Sequence, residues 1–337
     1  MKNFEHAIML LDAAAPSFCY YPLEKTDKAA MTELVLRKAI SFCSREGYHV
    51  TAIYGNEPPD EACMKLLSEF PHMRIIPLKP ERQFNSSDIY TVNFNDFQAV
   101  MPLLKPNQDL NMMIRLNMDD VLPFADLLER YWNRAKRLNL IFCDLASADE
   151  TALNKFRLDL AWLNNLLTDM YTDGKHVELS CATDRMLLNE MKNCDAGVTH
   201  FTISPCGTFF VCPGFFHAYG QQNIGSLDTG FDFKNRHLFS LEYAVICNSC
   251  DCFHCKRCVY LNKKTTGEVN TPSHQQCVTS HHERNLSGML LSRLKKRGFL
   301  NDAPDIYPLF YTDPFEGMEN GELRIENGEY INKLDDE

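Results

Sequence analysis

No stretch of the 337-residue chain approaches the run of about eighteen apolar residues that would span a membrane, so none is expected to do so. Basic charge is in deficit. Lys and Arg number 34 against 45 Asp and Glu, a net charge of −11 with a pI near 5.5. That argues against a nucleic-acid partner, because non-specific phosphate attraction needs a basic surface. A secretory signal is also wanting. Lys2, the run Ala7 to Leu11 and Ala13 to Ala15 imitate one loosely, but Glu5 and Asp12 bracket an apolar run of only five residues. A first β-strand fits this stretch better, and the chain is expected in the cytoplasm. Walker loop, nucleophile elbow, HExxH and Rossmann fingerprint are all missing, which removes the commonest signatures of nucleotide, serine-hydrolase and zinc-protease chemistry.

What the chain does have is cysteine, fourteen in all, nine of them between 194 and 277. Without a secretory signal such density points to metal and not to disulfides. Before that region, apolar runs alternate with helical patterns. Strands are expected at His6–Leu11, His49–Tyr54, Met73–Leu78, Ile89–Phe94, Asn111–Asn117, Leu138–Cys143 and His176–Ser180. Helices are expected at Asp27–Arg45, Pro59–Phe70, Phe97–Leu104, Pro123–Lys136 and Thr151–Tyr171, with Asp27 capping the first and Gly47 ending it. This alternation implies an α/β fold with a mostly parallel sheet. About six units are too few for a closed eight-fold barrel, leaving a partial (β/α)6-type barrel or a doubly wound sheet. In either, chemistry belongs at the carboxyl ends of the strands: Asp12 to Tyr21, Gly55 to Pro58, Asn117 to Asp120, Asp144 to Ser147 and Cys181 to Arg185. After residue 194 glycine, cysteine and aromatics replace helical periodicity, which returns at His282–Lys296. Asn327-Gly328 suggests a hairpin in the acidic tail. The expected division is 1–190, 191–285 and 286–337.

The cysteines run Cys194-x12-Gly207-x4-Cys212, with Cys206 inside. Then come Cys247-x2-Cys250-x-Cys252-x2-Cys255-x2-Cys258 and finally Cys277. Thiolates two residues apart on a turn can share one metal or one cluster, and nine suffice for two four-ligand sites. Paired CxxC also suits structural zinc, so a zinc-stabilised binding module is the alternative. The order of these motifs resembles the SPASM domain, which follows the catalytic barrel of radical S-adenosylmethionine enzymes that modify ribosomally made peptides. The resemblance implies two auxiliary [4Fe–4S] clusters, the first on Cys194, Cys206, Cys212 and Cys258, the second on Cys247, Cys250, Cys255 and Cys277. Cys252 is additional to the family spacing and interchangeable with Cys255.

The upstream half also resembles a radical S-adenosylmethionine barrel. Gly55-Asn56-Glu57-Pro58 is similar to the GGEP motif, and Arg115 and Asn117 stand where the family places contacts to the cofactor. One motif is missing. Where the family has CxxxCxxC after its first strand, this chain has Asp12, Pro16 and Cys19, a ligand set that puts S-adenosylmethionine cleavage in doubt. The overall texture is similar to degenerate relatives in peptide-modification systems, among them the CXXX repeat peptide maturases. The resemblance therefore implies a precursor-peptide partner containing cysteine, acted on either by this chain or by a second maturation protein that this chain assists. Cys43, Cys63 and Cys143 read as core, Cys181 as core or site, and His281-His282 as an exposed turn.

Overall fold

A computed structural model describes residues 4–22, 29–79, 84–191 and 193–306, together with the backbone of Arg324–Glu326 and Glu329–Ile331. The chain alternates β1 (His6–Leu10), α1 (Glu33–Glu46), β2 (His49–Ile53), α2 (Glu61–Glu69), β3 (Met73–Pro77), β4 (Ile89–Asn93), α3 (Phe94–Val100), β5 (Asn111–Leu116), α4 (Val121–Tyr131), β6 (Arg137–Phe142), α5 (Glu150–Thr172), β7 (Glu178–Leu179) and α6 (Ser180–Leu187). The described part of the β3–β4 connection holds no helix. Every expected strand forms within a residue or two of its expected ends. Helix starts differ more. Thr32 caps α1 by accepting from Val35 N, whereas Asp27 lies outside the described residues; Gly47, at φ +73°, ends the helix as expected.

Strands β1 to β7 pair in sequence order and all in parallel. That order excludes the doubly wound sheet, which reverses direction at a switch point. Right-handed crossovers that always add the next strand on the same side place all helices on one face, so the sheet curls around the other. This is a partial barrel. On the first strand's free edge, β8 (His200–Ile203) pairs in parallel with β1, and β9 (Phe209–Phe210) returns antiparallel to β8. The cysteine-rich part thus extends the barrel sheet.

Side-chain alternation splits the sheet into two cores. Ala7, Met9, Val50, Ala52, Ile76, Met112 and Ile114 pack under the helices. Ile8, Leu10, Ile53, Ile75, Ile89 and Met113 face inward and pack with Ala15 and Phe18 of the β1–α1 loop and with Phe216. The inner face is therefore filled at this level by the chain's own loop and by α7 (Pro213–Ala218).

Beyond a two-strand ribbon of β10 (Gly225–Ser226) and β11 (Gly230–Phe231) come α8 (Val259–Thr266) and α9 (His274–Lys296); β12 (Arg324–Glu326) and β13 (Glu329–Ile331) form the expected terminal hairpin. Both α7 and α8 are too short to leave a helical period in the sequence. Helix α9 begins at a Ser273 cap, eight residues before the expected start, and runs unbroken through the expected boundary at 285. It is fixed to the barrel by Asn164 Nδ2 donating to Leu286 O at 3.3 Å and Ser287 Oγ donating to Ala182 O at 2.6 Å. No described helix is long and apolar enough to cross a membrane.

Candidate metal centres and the barrel mouth

The nine late cysteines do not gather as one group, and none of the fourteen forms a disulfide. Cys247, Cys250, Cys252, Cys255, Cys277 and His281 line one small cavity of about 20 Å³, room for roughly a single water. Two elements deliver these donors. The turn-rich run 247–255 supplies four thiols, while the first turns of α9 supply Cys277 and His281, four residues apart and hence on one face. Sequence reading placed His281 in an exposed turn. It is instead a buried helical residue, and its imidazole lies 3.5 Å from Cys252 Sγ through Nδ1 and 4.0 Å from Cys250 Sγ through Nε2. These three donor atoms lie within 4.8 Å of one another. Cys252 N donates to Cys250 Sγ at 3.5 Å; the neighbouring Cys252 thiol and His281 lower the Cys250 pKa to about 4, while Cys250 and burial drive that of Cys252 upward. A thiolate is therefore already favoured there.

Asp251, between those two cysteines, anchors the run. Arg284 of α9 donates to both its carboxylate oxygens, through Nε at 2.7 Å and through Nη2; Arg185 of α6 donates at 3.2 Å and also covers the Phe253 ring at 4.4 Å. Burial alone would raise the Asp251 pKa, but the two guanidinium groups hold it below the usual carboxylate range. A lowered folded-state value means the stabilisation is complete above the ordinary Asp pKa and fades as pH falls through the folded value. Asp251→Asn is expected to cost about 2 kcal/mol at neutral pH and to flatten the acid limb of a Tm-against-pH profile below about pH 4. An unchanged acid limb would show that other carboxylates carry it.

A second group forms across the chain. Cys194 precedes β8, Cys212 is the N-cap of α7, and Cys258 is the N-cap of α8, where its Sγ accepts from Leu261 N at 3.5 Å. Cys19, from the β1–α1 loop, joins them. Cys19 and Cys258 are close enough for each to shift the other's pKa, and the Cys19 charge reaches Cys194 and Cys212. Burial pushes Cys194 up to about 11 and Cys212 higher still. Cys206 is placed elsewhere. It is exposed on the Ser204–Thr208 turn, with Sγ 3.1 Å from Ser204 Oγ and 3.4 Å from Thr208 Oγ1.

Arg257 separates the two groups. Three residue steps link Cys255 to Cys258, so their Cα atoms are at most about 11 Å apart. Arg257 is buried and left-handed, at φ +40°. It is held by Nη2 donating to Phe239 O at 2.7 Å and Nη1 donating to Asn270 Oδ1 at 3.2 Å.

At the carboxyl edge of the barrel, Arg115, Asn117, Asp120, Asn93, Asn95 and Cys143 line an open pocket of about 320 Å³. Arg115 Nε is buried there without a hydrogen-bond partner. Asn117 serves locally, its side chain and that of Asp120 capping the turn Met118–Asp120 reciprocally. Cys143 is exposed at this pocket and is not part of the core as expected; Cys43, Cys63 and Cys181 are buried. The Gly55–Pro58 loop does not line this pocket. Glu57 and Pro58 are exposed, whereas Gly55 is buried with Asp12 against it: a Cβ on Gly55 would lie 2.6 Å from Asp12 Oδ2 and 2.9 Å from Asp12 Cβ. Gly55→Ala is expected to cost about 1–3 kcal/mol in urea unfolding, and Asp12→Gly in the same chain, which removes both Cβ and the carboxylate, to recover part of it. Additive losses would deny that contact.

No protein-family model and no curated protein sequence matches this chain. Among solved structures, it superposes on His6-tagged anSMEcpe with bound AdoMet at a TM-score of 0.59 and 14% identity, covering 87% of this chain and 98% of that one. The fold is radical-SAM-like. At this identity the likeness shows the fold alone, and it agrees with the family resemblance carried by the cysteine spacing. Weaker superpositions are found with Streptococcus suis SuiB bound to precursor peptide SuiA (TM-score 0.44, 13% identity, 81% of this chain, 76% of that) and with BtrN in complex with AdoMet and 2-DOIA (0.36, 12%, 74% and 94%).

The donor sets bear differently on the groups such a fold implies. Two groups of four or more buried or half-buried thiols fit metal–sulfur centres by donor type and number. The strand-end set Asp12, Pro16 and Cys19 does not fit a three-thiolate cluster, since it holds a single thiol and proline offers no donor.

Proposed function

We propose that this protein assists maturation of a cysteine-containing, ribosomally made precursor peptide, carrying metal–sulfur centres on a radical-SAM-like barrel that does not itself cleave S-adenosylmethionine. The convergence of two thiol clusters at and beside the barrel carries the metal reading. The peptide partner rests on the SPASM-like order Cys194, Gly207, Cys212, then the dense run to Cys258 and Cys277. Clusters bound at these sites supply single-electron transfer or, where an iron is open, a place for a thiolate. The chain's own residues supply the rest: Asp251, Arg185 and Arg284 hold the ligand run, and Arg257 fixes the spacing of the centres.

Loss of the cleavage step follows from Asp12 and Pro16 and from the filling of the inner face by Ala15, Phe18 and Phe216. The protein then acts beside a second, fully equipped maturation enzyme. Incubating anaerobically purified, reduced protein with S-adenosylmethionine is expected to yield no 5′-deoxyadenosine above a protein-free control. Clear product would make the chain an enzyme in its own right, with a ligand set other than CxxxCxxC.

One observation favours a second reading at the α9 site. Cys250, Cys252 and His281 are close enough to hold one ion, and a mixed thiolate–imidazole set is typical of structural zinc. There the domain would be a zinc-stabilised binding module.

A further inference from the structure

We propose that Cys19, and not Cys206, is the fourth thiolate of the centre formed by Cys194, Cys212 and Cys258. The proposal rests on the metal-bearing reading above and adds to it a ligand from the barrel loop. Spacing within the cysteine-rich part offers Cys206, which lies only six residues before Cys212. The fold separates the two: Cys206 sits at the tip of an exposed turn with hydroxyls for neighbours.

The loop that carries Cys19 is held by contacts on both sides of it. On the barrel side, Thr91 Oγ1 donates to Ser17 O at 2.9 Å, and Ser17 Oγ donates to Cys19 O at 3.0 Å. On the other side, the Tyr21 ring stacks on His217 of α7, the helix that Cys212 opens, with centroids 5.1 Å apart. Lys256, two residues before Cys258, covers the Tyr20 ring at 5.7 Å and donates to Asn139 Oδ1 at 3.2 Å on β6. The loop is thus clamped between the two segments that present Cys212 and Cys258.

Ligation by Cys19 would have two consequences. It would use up the one cysteine that remains at the CxxxCxxC position, and it would tie the β1–α1 loop to the cysteine-rich part across the mouth of the barrel. It also gives that centre four protein thiolates, leaving no position open for a substrate thiolate. Its remaining roles are electron relay and structural cross-link.

The test measures iron and zinc per chain in anaerobically purified wild type and in Cys19→Ser, Cys206→Ser and Cys258→Ser. Cys19→Ser and Cys258→Ser are expected to lose the same share, about half of the metal where two like centres are present, and Cys206→Ser none. A second readout needs no variant to fold. Iodoacetamide labelling of native wild type should spare Cys19 together with Cys194, Cys212 and Cys258, reach all four after a chelator removes the metal, and label Cys206 throughout. Full metal retention in Cys19→Ser, loss in Cys206→Ser equal to that in Cys258→Ser, or ready labelling of Cys19 in the metal-loaded protein would each overturn the assignment while leaving the metal reading intact. A metal-free wild type would overturn that reading, and this inference with it.

Discussion

Stripping the metal from anaerobically purified protein is expected to unfold the segment from about residue 241 to 258 and to leave the barrel strands protected. The reason is the unequal distribution of apolar burial. Strands β1 to β6 are packed from both faces by Ile, Leu, Val, Met and Phe, most of them nearly inaccessible to solvent. Residues 241–258 form only short turns, and their own small cluster is Met191, Ala244 and Cys247 with partly buried Leu241, Cys250, Phe253 and Cys255 around it. So small a core does not offset the conformational entropy of ordering the run, whereas thiolate–metal bonds contribute about 10 kcal/mol or more for a structural site. Hydrogen exchange before and after chelation measures the effect region by region. Equal protection of the run in both states would mean that the thiols are structural without metal.

The second large effect is expected from Arg257→Ala. Removing this side chain leaves Phe239 O and Asn270 Oδ1 without their donor and opens a hole in a fully buried position, a loss of about 3–5 kcal/mol. Because Cys255 and Cys258 flank it, both centres should lose metal together. Lysine in its place would not restore the fork that reaches two acceptors at once. Metal analysis and urea unfolding of Arg257→Ala and Arg257→Lys check both statements. Loss from one centre alone would show that the two thiol groups are held independently.

The barrel was legible from sequence for a physical reason. Buried parallel strands read as short apolar runs, and the crossover helices between them kept their period, so the strands fell within a residue or two of their expected places. The ligand run was legible too, since thiols two residues apart on turns are a local signal. Cys19 and His281 were not. Their significance lies in partners far away in the chain, which only the curl of the sheet and the docking of α9 bring near. The first three turns of α9, HQQCVTSHHE, include residues that face a pocket of thiols, so they carry no apolar stripe by which a helix could be read. Arg257 gave no signal either, for a buried arginine in a left-handed turn looks in sequence like any polar loop residue. Gly55 reads in sequence as part of a cofactor loop, and the structure adds that its missing Cβ admits Asp12.

The most direct test of the account is the metal itself. Visible absorption with iron, sulfide and zinc analysis should be run on wild-type protein purified without oxygen. The account predicts a brown protein absorbing broadly near 400 nm, with about eight iron and eight sulfide per chain for two four-iron centres. A colourless protein holding about two zinc, or no metal at all, would contradict it.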